Sequence, residues 1–96
     1  MVQFAVTEGF APVLVWTEQN YERARQISED YMPQTYTGWQ IIFAIAKARI
    51  PKNLEIVCVY ADPDDVARWC RSNNRKVTIG NRAAYALAHY QRQKLQ

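Results

Sequence analysis

The run Leu54–Tyr60 (LEIVCVY) constrains this chain more than any other stretch. Leu54, Ile56, Cys58 and Tyr60 fall on one side of an extended chain, Val57 and Val59 on the other, and only Glu55 interrupts. A strand with one wet face alternates apolar and polar residues, whereas one that is apolar on both faces asks for cover on both. β-Branched and aromatic residues dominate the run, and Pro51 and the Asp62-Pro63 pair bracket it. The sequence therefore predicts a central strand over 54–60, with the rest of the chain supplying its cover.

Pro12–Trp16 (PVLVW) reads as another strand, and Val2–Val6 as its hairpin partner through Thr7–Ala11, with a flexible first segment as the alternative. Thr17 and Glu18 open a helix through about Tyr31, with Tyr21, Ala24, Ile27 and Tyr31 in one stripe. Thr37-Gly38-Trp39-Gln40 has the spacing of a capping box and starts a helix to about Arg49. That helix is apolar nearly all round, so burial is expected. Asp62-Pro63-Asp64-Asp65 carries a cap, a proline and first-turn acids, and opens a helix to about Ser72 with Val66, Ala67, Trp69 and Cys70 inward. Arg75–Ile79 (RKVTI) reads as a short strand or an extended turn. A last helix over 82–94 places Ile79, Ala83, Ala86, Leu87 and Tyr90 inward, and Arg82, Tyr85, His89 and Arg92 on the far side.

The expected fold is a single domain over 1–96 of the α/β class, with α+β as the alternative. A three- or four-stranded sheet surrounds strand 54–60, and about four helices pack on it. Strand 54–60, helix 63–72 and strand 75–79 have the order of a βαβ unit. A chain of 96 residues buries roughly two-thirds of its unfolded surface, enough for one core. Cys58 and Cys70 are too few for a disulfide scaffold and match no zinc spacing. No apolar run approaches the ~18–20 residues of a membrane span, and the N-terminus lacks a secretory pattern. The expected setting is therefore the cytoplasm, with no membrane contact. Gly9, Gly38 and Gly80 stand alone, so no nucleotide loop and no cofactor is expected.

Charge is the main functional clue. Residues 1–66 hold five basic and nine acidic residues, net −4, whereas residues 67–96 hold seven basic residues and no acid, net +7. Such a split points to an anionic partner, either nucleic acid or an acidic protein surface. The leading expectation is a small non-enzymatic nucleic-acid-binding module. Arg82, Tyr85, His89 and Arg92 would lie along a phosphate backbone, flanked by Arg68, Arg71, Arg75 and Lys76. Arginine offers planar donors to phosphate, and tyrosine stacks on unpaired bases. The plain alternative is a solvated helix face that happens to be basic.

A second expectation is a protein–protein adaptor or inhibitor, homodimeric in one version, using Tyr31, Tyr36 and Trp39. Packing against the second helix explains the same aromatics. A third is a Mg²⁺-dependent enzyme at Asp62, Asp64 and Asp65, at the carboxyl end of the central strand. Helix capping accounts for those residue types and their spacing without remainder and is the preferred account. His89 has no second histidine with which to build a histidine-rich metal site.

Overall fold

The run at 54–60 pairs with the segment after Gly9, and it pairs in parallel. The computed structural model describes residues 8–94. In chain order its elements are β1 (Phe10–Val15), α1 (Glu18–Ile27), α2 (Tyr36–Ala48), β2 (Glu55–Tyr60), α3 (Pro63–Ser72) and α4 (Ile79–Lys94). The result is a mixed α/β domain of four helices and a two-stranded sheet. Phe10 stands opposite Glu55, and the register runs on to Val15 opposite Tyr60. Parallel strands need a long crossover, which α1 and α2 provide.

The Glu55 N–H donates to the Gly9 carbonyl at 2.9 Å. Backbone groups alternate in direction along a strand, so Glu55, Val57 and Val59 address β1, while Ile56, Cys58 and Tyr60 address the opposite edge. On β1, by the same alternation, Ala11 and Val13 address β2. Pro12, which has no N–H, falls where the ladder asks for none.

β1, not β2, is the enclosed strand. Ala11, Pro12 and Val13 are buried, whereas on β2 only Val59 is, and Glu55, Ile56, Cys58 and Tyr60 are exposed. Among the described residues the sheet has two strands instead of three or four, so the strand expected at the centre has β1 as its one partner there. The cause is where the helices go. α4 packs along β1, with the rings of Phe10 and Tyr90 5.7 Å apart, and α3 packs on both α1 and α4. Val13, Trp16, Tyr21, Ala24, Val66, Cys70 and Val77 meet in the core. The Val2–Val6 strand and its hairpin lie outside the described residues.

Local chemistry sets the helix ends. The Thr17 hydroxyl accepts the Asn20 N–H at 3.2 Å and starts α1. The Ser28 hydroxyl donates to the Ala24 carbonyl at 2.7 Å, and the helix stops at Ile27, short of the expected Tyr31. Tyr31 therefore leaves the buried stripe and is 80% exposed. α2 is capped by Thr35, whose hydroxyl accepts the Gly38 N–H at 3.0 Å, so it starts before the expected Thr37 box. Asp62 caps α3 as expected, its Oδ1 accepting the Asp64 N–H at 2.8 Å, with Pro63 in the first turn.

Residues 75–79 are not a strand, because the end of α1 takes their backbone groups. The Glu29 N–H donates to the Val77 carbonyl, and the Val77 N–H donates to Glu29 Oε2, both at 2.7 Å. Asp30 Oδ2 accepts the Ile79 N–H at 2.7 Å, so an acid just past the end of α1 serves the start of α4. Asp30 Oδ1 also accepts Arg82 Nη1 at 2.7 Å, and Ser28 accepts the same nitrogen at 3.1 Å. Removing one member of an enclosed ion pair strands the other charge. Asp30→Ala is expected to lower unfolding free energy by about 3 kcal/mol in a urea titration. Asp30→Asn, which can still accept from Ile79, is expected to lose less.

Candidate interaction surface

The basic helix face expected to meet phosphate turns inward. Arg82 is only 8% exposed and is held by Asp30. Tyr85 is buried with its ring edge-on to Trp69, centroids 5.7 Å apart, and burial pushes its phenol pKa up. His89 is half-buried, stacks on Tyr85 at 5.7 Å, and its Nδ1 has no hydrogen-bond partner among the described residues. The outer-stripe assignment is therefore corrected. α4 packs against β1 on one side and α3 on another, so the arc carrying Ala83 and Ala86 and the arc carrying Arg82 and Tyr85 are both covered.

The rest of the basic set is at the surface. Arg68 bonds Asp65, and the Arg75 guanidinium lies over the Trp69 ring, 5.2 Å from its centroid. Arg71, Lys76 and Arg92 are exposed and have no ion pair among the described residues. The structure thus keeps Arg68, Arg71, Arg75 and Lys76 outside, on α3 and the loop after it, and removes Arg82 and Tyr85.

The aromatic set divides as well. Tyr36 stacks on Trp39 with centroids 5.7 Å apart, and Trp39 on Phe43 at 4.9 Å. Tyr21 of α1 closes this column, 5.8 Å from Tyr36 and 5.9 Å from Trp39. The Tyr21 hydroxyl donates to the Pro33 carbonyl and the Tyr36 hydroxyl to the Trp16 carbonyl, so both polar tips are satisfied inside. Trp39 is buried and Tyr36 half-buried, and only Tyr31 of the three stands in solvent.

The apolar surface lies where sequence reasoning expected cover. α2 packs against α1 and sends Trp39 and Phe43 into the core, leaving Ile41 58%, Ile42 37% and Ile45 51% exposed. On β2, Ile56 and Tyr60 are exposed, Tyr60 by 62%, and Cys58 stands between them on the same face. Sequence reasoning missed this surface, although the signal was present: apolar residues on both faces of 54–60 and all round α2.

The three carboxylates are each engaged within the fold. Asp62 caps α3, and Asp65 takes Arg68. Asp64 Oδ1 accepts Arg23 Nε at 3.0 Å and Nη2 at 2.7 Å, and that guanidinium holds its carboxyl below the usual range. Among the described residues no group of three or more His, Cys, Asp and Glu side chains is placed to hold a metal ion. Among them, too, no helix is long and apolar enough to cross a membrane. Comparison with protein-family models, with curated proteins and with solved structures finds no match to this chain.

The two thiols differ sharply. Cys70 has no exposed surface, and burial pushes its thiol up, whereas Cys58 is exposed. Accessibility limits thiol reactivity. A disulfide-exchange reagent such as Ellman's is expected to titrate Cys58 promptly in the folded protein and Cys70 only after denaturation.

Proposed function

We propose that this chain is a protein-interaction module whose docking surface is the outer side of α2 with the exposed face and open edge of β2. The supporting observation is the exposure of Ile41, Ile42, Ile45, Ile56 and Tyr60, which stand in solvent while Val13, Trp16, Tyr21, Trp39, Phe43 and Val66 are buried. Apolar surface of this kind is costly in water and marks association sites. A strand edge adds direction, because its free N–H and C=O groups accept only an extended partner in register. β2 carries no basic residue, so this surface suits a polypeptide better than a phosphate backbone.

Substitutions at exposed positions usually change stability by less than about 0.5 kcal/mol. Affinity-tagged protein, expressed in the cells that naturally make it, is expected to retain a bound polypeptide (a second copy or another protein). Ile41→Asp/Ile45→Asp is expected to lose that polypeptide with the melting temperature unchanged. Retention by the double variant would contradict the proposal.

Nucleic-acid binding stands as a second reading, supported by the exposed cluster Arg71, Arg75 and Lys76. Binding by that cluster predicts an anisotropy signal with labelled RNA or DNA whose affinity falls with salt. Each phosphate contact removed by alanine is expected to flatten the log–log salt slope by about 0.7–0.9. No binding at low salt would remove this reading.

A further inference from the structure

The open edge of β2 fits a second β2. Its free groups are the N–H and C=O of Ile56, Cys58 and Tyr60, and among the described residues none of them has a backbone partner. Edge strands in stable monomers are usually guarded by proline, lysine, a bulge or an inward charge. The far edge of β1 has Pro12. The 56–60 stretch has none of these guards, and Glu55, the strand's only charge, projects from the opposite face.

Self-pairing selects one register. Setting Cys58 opposite Cys58 of a second copy, antiparallel, puts each Ile56 against the other copy's Tyr60. All three residues then sit in hydrogen-bonded pairs, each exchanging both of its backbone bonds. A slip of two residues in either direction leaves free groups unmatched at one end. A slip of one residue opposes groups that point away from each other. In the matched register Ile56, Cys58 and Tyr60 of both copies lie on one face, continuous with Ala11 and Val13.

We infer that two copies of this chain associate along β2 into a four-stranded sheet, ordered β1-β2-β2-β1, with Cys58 beside the two-fold axis. The inference rests on the interaction reading above and names its partner. Added strands with an apolar face stabilise a two-stranded sheet, as α4 packed on β1 already does here. Exposed Ile56 and Tyr60 supply apolar surface directly beside the pairing edge. The dimer also makes 54–60 a central strand.

The test uses purified protein in reducing buffer, by sedimentation equilibrium across a concentration series. The mass is expected to rise from 11.2 kDa towards twice that value. Ile56→Lys and Tyr60→Lys should each raise the dissociation constant at least tenfold while circular dichroism stays unchanged. Ile56→Lys/Tyr60→Glu should recover dimerisation, because positions 56 and 60 oppose each other only in this register. Opposed Cα atoms in a hydrogen-bonded pair lie about 5.5 Å apart, within disulfide reach. Diamide, which takes up the two thiol hydrogens as the S–S bond forms, should therefore link the wild type covalently, and Cys58→Ser should prevent the link but not the dimer.

A constant mass of 11.2 kDa would overturn the inference, as would a dimer indifferent to Ile56→Lys or one not recovered by the charge pair. If the mass stays constant while the cellular partner is still lost in Ile41→Asp/Ile45→Asp, self-association falls and the interaction reading stands.

Discussion

Asp30 ties the end of α1 to the start of α4. Its carboxylate receives the Arg82 guanidinium and the Ile79 N–H, one oxygen serving each at 2.7 Å. That short contact fixes where α4 begins and which way it turns. α4 then lies along β1, and α3 fills the space between α4 and α1. Val77, completely buried, sits in the loop that Glu29 and Asp30 hold. A buried arginine is expensive unless its charge and donors are met, and here Asp30, Ser28 and the Val77 carbonyl meet them. The basic C-terminal third therefore spends one of its arginines on architecture, which weakens any argument for a partner drawn from net charge alone.

The same arrangement leaves β2 unfinished. With α4 on β1, and with Trp39 of α2 turned to meet Tyr21, Ile56, Cys58 and Tyr60 keep exposed surface among the described residues. The chain has enough apolar residues for a central strand and a buried α2. It encloses β1 with them and leaves Ile41, Ile42 and Ile45 in solvent. That imbalance supports reading the exposed apolar side chains as places of association.

The legible parts of the fold were those decided by neighbours in sequence. Asp62-Pro63-Asp64-Asp65 announces α3 because cap, proline and dipole act within one turn. Thr17 does the same for α1. Two threonines two residues apart, Thr35 and Thr37, both suit a cap, and local pattern preferred the one with Gln40 beyond it. The illegible parts depended on distant partners. RKVTI has strand-like composition, yet Glu29 and Asp30 claim its backbone from far along the chain. Helical periodicity placed Arg82 and Tyr85 outside because polar residues usually are, and no spacing rule reveals an Asp30 waiting for one of them. Apolar residues on both faces of 54–60 were read as a demand for cover from the rest of the chain, but among the described residues that cover encloses Val59 and leaves Ile56, Cys58 and Tyr60 exposed.

Amide-resolved hydrogen exchange along β2, followed by NMR at low and high protein concentration, decides whether its outer edge is open and then occupied. In dilute protein the Val57 and Val59 amides, bonded to β1, should exchange slowly, and those of Ile56, Cys58 and Tyr60 quickly. Raising the concentration should protect the second group and leave the first unchanged. Protection of all five amides at every dilution would mean that the edge is already covered within one chain. Fast exchange at 56, 58 and 60 at every concentration would mean that no second copy reaches it.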